Sequence, residues 1–167
     1  MTGFASEPLA PRHDRSGFSC GVPALDDYLR NRATRDVRRY SAAVFVLLPD
    51  NEPTRIAGFY SLSAFSVELD SLPADATKKL ARYPLVPAIL IGRLARCSAF
   101  PGLGGALLMD AITRCVRQAG GIGASLIVVE AKDEKARDFY ERHGFLRLPG
   151  TPKRLVLPMK TAAMVVG

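Results

Sequence analysis

The chain has 167 residues, 48% of them apolar, and a net charge of +7. That length suits one domain, 1–167, with a continuous core that needs neither disulfides nor metal. Apolar runs such as "AAVFVLL" and "VPAILI" stop far short of the roughly 20 residues that cross a bilayer. The start, "MTGFASEPLAPRHDRSG", has no signal-peptide core, so a cytoplasmic protein with no membrane contact is expected. Cys20, Cys97 and Cys115 show no C-x-x-C spacing, and His13 and His143 lie far apart, which argues for buried thiols and against a metal site. Of the 23 basic residues 17 are arginine, whose planar fork pairs with phosphate, so an anionic partner is indicated.

In chain order, a first helix is expected from Pro23 to Tyr40, with proline at an allowed early position and Leu25, Tyr28, Leu29, Ala33, Val37 and Tyr40 at helical spacing. "SAAVFVLL" reads as a strand, "PDNEP" as a turn and "TRIAGFYSLSAFSVEL" as the returning strand or strand pair of a hairpin. "LPADATKKLARYP" predicts a short helix closed by Pro84, and "VPAILIGRLA" a buried strand. After a glycine loop, "GGALLMDAITRCVRQAG" is an amphipathic helix ending in glycine, "ASLIVVEA" another buried strand, and "DEKARDFYERHG" a helix with Asp133 as N-cap and Gly144 as its stop. "FLRLPGTPKRLVLPMK" closes the chain as two strands around a Pro/Gly loop. Early hairpins with a central strand-helix-strand unit argue for an α/β protein built on a mixed sheet covered by helices; a doubly wound parallel fold fits less well.

Three stretches carry chemistry. In "GLGG", glycines at a helix start let a phosphate approach unpaired backbone N–H groups, although the same residues also make a tight strand-to-helix turn. In "AKDEKARDFYERHGF", Tyr140 is a candidate proton donor, although spacing alone favours a core aromatic beside Phe139. In "RNRATRDVRR", Arg30, Arg32, Arg35, Arg38 and Arg39 crowd one helix with Asp36 as the only acid inside the run. A solvated charged face is the commoner reason for such a helix, and the missing acidic partners favour a phosphate-rich ligand.

Together, "FSCGVPALDDYLRNRATRDVRR", "IAGFYSLSAFSVEL", "ARYPLVPAILIGRLA", "GLGGALLMDAI" and "VVEAKDEKARDFYERHGFLRLPG" resemble the GNAT N-acetyltransferase superfamily, and within it the tRNA-acetylating toxins of bacterial toxin-antitoxin pairs. The resemblance implies a central mixed sheet, splayed where acetyl-CoA inserts and flanked by helices. It also implies acetyl transfer from acetyl-CoA to the α-amine of an aminoacyl-tRNA, which blocks translation without any metal. Carried over by position, Tyr140 protonates the departing thiolate, the backbone N–H groups at Leu94 and Ala95 face the oxyanion, and Gly102, Leu103, Gly104 and Gly105 face the pyrophosphate. Asp133 falls at a helix start near the cofactor, where an N-cap role is an equal reading. The five arginines and Arg93 would hold tRNA phosphates, with Arg93 equally readable as a structural residue at a strand end. The partners implied are a ribbon-helix-helix antitoxin and a second copy of the chain as a homodimer.

One departure stands out. The family pattern after "GRLA" continues with a valine, an acid, a few variable positions and a glutamine- or arginine-led glycine motif, whereas here "RCSAFPGLGG" is two residues shorter. The glutamine and first glycine have no counterpart, and Pro101 has no N–H to offer. Two lost charge-assisted hydrogen bonds at roughly 1.5 to 3 kcal/mol each would weaken acetyl-CoA binding by about two or more orders of magnitude. Two alternatives therefore stand beside the tRNA reading: a GNAT enzyme acting on a small amine or a protein lysine, and a catalytically inactive GNAT-fold binding protein.

Overall fold

The computed structural model describes residues 3–167. Seven strands form one mixed sheet in the order β1-β2-β3-β4-β5-β7-β6. The strands are β1 (Phe4–Pro8), β2 (Ala43–Pro49), β3 (Gly58–Glu68), β4 (Leu85–Arg96), β5 (Leu126–Glu130), β6 (Leu146–Leu148) and β7 (Thr151–Pro158). β2 and β3 form the expected hairpin, from Ala43↔Leu62 to Leu47↔Gly58. β4 and β5 run parallel, from Ala88↔Leu126 to Ile91↔Val129. A parallel pair needs a long crossover, and helix α4 (Gly104–Ile122) provides it. β5 with β7 and β6 with β7 pair antiparallel.

The sequence reading misses two elements. β1 pairs antiparallel with β2 at the sheet edge, from Phe4↔Pro49 to Pro8↔Phe45. It is short and ends in proline, a residue that sheets accept at edges and that masks a strand in the sequence. Helix α6 (Met159–Val166) follows directly on Pro158 and buries only Met159 and Ala162, too brief a pattern to separate from the preceding strand. The helix expected before Pro84 shrinks to α3 (Ala74–Thr77), which buries Ala76 alone and so has little tertiary packing to extend it.

The largest correction concerns the first helix. It runs as α1 (Pro23–Asp27), a π-turn over Tyr28–Arg32, and α2 (Ala33–Arg38). In the π-turn the N–H of Ala33 bonds the carbonyl of Tyr28, five residues back. The extra residue advances the helix phase, so Tyr28, Leu29 and Ala33 stay buried while Val37, assigned to the same apolar stripe, emerges into solvent, and Tyr40, also assigned to it, is exposed because the helix has ended. Tyr40 lies beyond the helix end in the left-handed region at φ 58°, where a non-glycine residue costs about 1–2 kcal/mol.

The chain divides into two compact units, one of Met1–Ser63 with Gly92–Ala111 and the other of Ala64–Ile91 with Ile112–Gly167. The first is built around Phe59, which meets Phe18 edge-on at 5.4 Å between centroids and lies nearly parallel to Tyr28 at 6.3 Å. Leu29, Val46 and Ile56 complete this core. Within the same unit Asp110 of α4 accepts hydrogen bonds from Tyr60 Oη at 2.6 Å and Ser6 Oγ at 3.1 Å. The second unit packs Val67, Val86, Ala88, Leu126, Val128 and Val156 into its own core. Of the three cysteines, Cys97 and Cys115 are buried as expected and Cys20 is only half-buried.

Leu29 has no exposed surface. Leu29→Ala is expected to cost about 2–5 kcal/mol through lost burial and the cavity it leaves. Urea denaturation should read this as a lower midpoint with an unchanged slope.

Candidate active site and nucleic-acid interface

The glycine loop takes its shape from the contacts of Cys97, Ser98 and Phe100. Beyond Ile91, β4 continues through Leu94, half-buried, and Ala95, buried, to Arg96. Next the backbone turns sharply. The N–H of Cys97 bonds the Ala57 carbonyl at 2.8 Å, that of Ser98 the Ser19 carbonyl at 2.8 Å, and that of Phe100 the Cys97 carbonyl at 3.0 Å. These strand-side donors are therefore engaged, and Pro101 has none.

Phe100 anchors the turn. Its ring meets Phe4 of β1 at 6.0 Å in an edge-on contact, and the Arg55 guanidinium lies 4.9 Å from its centroid on the face. Arg96 Nη1 donates to the carbonyls of Cys97 and Phe100, each at 3.4 Å.

The helix side of the loop is different. Gly102 sits at φ 80° and is exposed, with nothing within 4 Å of where a Cβ would stand. Leu103 tucks into the interior and its carbonyl accepts from the Leu107 N–H at 3.0 Å, which opens α4. Gly104 and Gly105 are the first residues of the helix, where N–H groups have no intrahelical partner and the dipole favours anions. An anion can thus approach a glycine backbone at a helix start, while the strand-side amides are committed to the fold.

Tyr140 lies on α5 (Glu134–Arg142) in the other unit. Asp133 caps this helix, accepting from the Ala136 N–H at 2.8 Å, so the capping reading accounts for its side chain. Tyr140 is 8% exposed and packs edge-on against Phe145 at 5.6 Å and tilted against Phe139 at 5.4 Å. Burial pushes its hydroxyl up to about 12, further above the physiological range than an ordinary tyrosine. His143 Nδ1 faces the Phe139 carbonyl at 2.8 Å and Gly144 turns the chain at φ 91°, which closes the helix.

The six arginines separate into two sets. Arg30 Nη2 donates to the Phe18 carbonyl at 2.8 Å, Arg32 Nε pairs with Asp27 at 3.4 Å, and the half-buried Arg93 lays its guanidinium over the Tyr28 ring at 3.7 Å. These three are engaged by the fold. Arg35, Arg38 and Arg39 are exposed, and among the described residues none of them forms an ion pair.

Asp36 explains why. Its carboxylate accepts the Tyr28 hydroxyl at 2.8 Å, so the only acid in the run is turned toward the core. Burial, and then this hydrogen bond, raise the Tyr28 hydroxyl to about 12. Tyr28, Asp36, Phe100 and Asp110 are the residues that the sequence reading did not assign to the site's framework. For Tyr28 and Asp36 the signal was present in part, as a tyrosine and a lone acid within a basic helix.

No family model matches the chain. Individual proteins do. A tRNA-acetylating toxin of Mycobacterium tuberculosis is 38% identical over 170 residues, covering 100% of this chain and 99% of the relative. The chain belongs to the tRNA-acetylating toxins of the GNAT superfamily. Among solved structures, AtaT complexed with acetyl-methionyl-tRNAfMet superposes with a TM-score of 0.89 at 26% identity, covering 98% of this chain and 99% of that one. AtaTR bound with acetyl-CoA gives 0.85 at 27% identity, with 100% of each chain covered. This GNAT toxin therefore has the expected mixed sheet and flanking helices, together with a glycine loop that is anchored by an aromatic ring.

If Asp133 acts as a cap, Asp133→Ala should destabilise the protein by about 1 kcal/mol, and Asp133→Ser, another good cap, should recover most of that. Thermal denaturation of the two variants measures the difference. Equal losses in both would remove the capping account.

Proposed function

We propose that this GNAT toxin transfers the acetyl group of acetyl-CoA to the α-amine of an aminoacyl-tRNA and thereby blocks translation. The observation that carries this reading is the end-to-end 38% identity with a protein named for acetylating tRNA. Support also comes from the three free arginines on one helix and from a tyrosine at the position that the resemblance gives to the proton donor.

Acetyl-CoA supplies an acyl group activated as a thioester. Gly102, Leu103, Gly104 and Gly105 hold its pyrophosphate from the helix side. The N–H groups of Leu94 and Ala95 face the carbonyl oxygen as negative charge develops on it. An α-amine titrates near pH 7.7–8.0 in peptides, and an ester-linked one is less basic still, so a good fraction is neutral and nucleophilic at neutral pH without a strong base. The amine nitrogen forms the new C–N bond as the C–S bond breaks. Tyr140 gives its proton to the departing sulfur and regains one, through solvent, from the acylated nitrogen.

Arg35, Arg38 and Arg39 bind tRNA phosphates, with Arg30, Arg32 and Arg93 setting the shape of that face. The protein works as one GNAT domain in the cytoplasm, as a homodimer silenced by a ribbon-helix-helix antitoxin. These last points rest on the family resemblance. One observation favours a second reading, an inactive binding protein: the strand-side amides of the loop are already bonded.

Tyr140→Phe is expected to lower acetyl transfer to charged tRNA by about 10²- to 10⁴-fold while leaving acetyl-CoA binding intact. In the parent protein, transfer should climb as the amine deprotonates and show no alkaline decline before pH 10, because a hydroxyl raised to about 12 remains protonated there. A decline centred near pH 9 would remove Tyr140 as the acid.

Calorimetry with acetyl-CoA separates the two readings: micromolar affinity establishes that the helix-side amides suffice, and no heat at millimolar ligand supports the binding protein. Replacing Arg35, Arg38 and Arg39 together by alanine should flatten the salt dependence of tRNA binding by about 0.7–0.9 log units per lost phosphate contact. An unchanged slope would place the tRNA elsewhere, or point to a small amine or a protein lysine as acceptor.

A further inference from the structure

Tyr40 stands apart from the other aromatic residues near the arginine helix. Tyr28, Tyr60 and Phe59 are buried, whereas Tyr40 is 96% exposed. Its backbone is fixed in the left-handed region at φ 58°. Bonds on both sides hold it there: the Tyr40 N–H to the Val37 carbonyl at 3.1 Å, and the Ser41 N–H to the Asp36 carbonyl at 2.9 Å. A position of this kind just beyond a helix end is where glycine is favoured. Here the chain places a large ring in water at a conformational cost, and neither packing nor capping accounts for the ring.

Its neighbours indicate what the ring meets. Arg38 and Arg39 precede it directly, Arg35 lies one turn back, and all three are exposed without an acid partner. Guanidinium groups supply the attraction for a phosphate backbone, and a planar ring beside them supplies a platform on which a base can stack. Bases inside a duplex are covered on both faces, so only an unpaired base offers a face to such a ring.

We propose that Tyr40 stacks on an unpaired nucleotide of the RNA whose phosphates the adjacent arginines bind. The proposal rests on the reading that this face meets RNA, and it adds a specific role: the arginines set the affinity through charge, and Tyr40 directs an unpaired segment onto the helix end.

The chain contains no tryptophan, so Tyr40→Trp installs a single fluorophore at the position in question. Deacylated tRNA and a single-stranded oligoadenylate should quench its emission on binding. Heparin and polyglutamate, which are polyanions without bases, should bind and leave it unquenched. In parallel, Tyr40→Gly should melt no lower than the parent, because glycine accepts φ 58° freely. The same variant should bind oligoadenylate about 5- to 100-fold more weakly, the range for one stacked base, and Tyr40→Phe should retain the parent affinity.

Unchanged oligoadenylate binding by Tyr40→Gly, or equal quenching by heparin and RNA, would overturn the stacking proposal and leave the arginine reading in place. Quenching by polyglutamate would overturn it in favour of an acidic protein segment as the occupant. Failure of the parent protein to bind any RNA at low salt would overturn both readings.

Discussion

The hold on Tyr28 is the constraint from which the rest of the arginine face follows. One side of its ring lies against Phe59 of the core and its other contacts include the Arg93 guanidinium of β4 and, through the hydroxyl, Asp36. The residue opens the π-turn, so the point at which the helix changes phase is also the point at which it is fastened to the sheet. A cation over a desolvated aromatic face is worth about 2 kcal/mol or less, and a hydrogen bond to a charged group about 1.5–3 kcal/mol. Neither is large against a whole fold, but both act on the orientation of one short helix. Release of Asp36 from Tyr28 would free a carboxylate to neutralise the very arginines it now leaves exposed.

Two electrostatic regimes operate in the protein. Arg35, Arg38 and Arg39 act in water, where their attraction for a polyanion extends over a Debye length of about 8–10 Å and weakens with salt. Tyr140 is the opposite case: it is removed from water, and burial alone raises its hydroxyl to about 12. The first regime suits recognition of a large flexible anion, since an approximate fit is enough. The second suits proton transfer, where one hydroxyl must be in one protonation state.

The sequence made much of this legible. Runs such as "VPAILI" and "LIVVE" are continuous because parallel strands are covered on both faces, and Asp133 and Gly144 mark the ends of α5 through chemistry that is local. What escaped was non-local. A π-turn leaves no trace in residue spacing, so Val37 was placed on the buried face although the turn rotates it out, and Tyr40 was placed there although the helix ends before it. β1 depends on a partner about 40 residues later and has too few residues to show a pattern. On the site side, charge count drew attention to five arginines and the resemblance added Arg93, but neither says which of them the fold already uses. That distinction needed the carbonyl of Phe18, the carboxylate of Asp27 and the ring of Tyr28 in place.

Phe100 ties distant stretches of the first unit to one another. The turn after β4 joins the middle of the chain to its first strand through Phe4, and to the loop before β3 through Arg55. Three stretches distant in sequence thus converge on one ring, and a change of length in this turn has to be accommodated by Phe4, Arg55 and Phe100 together.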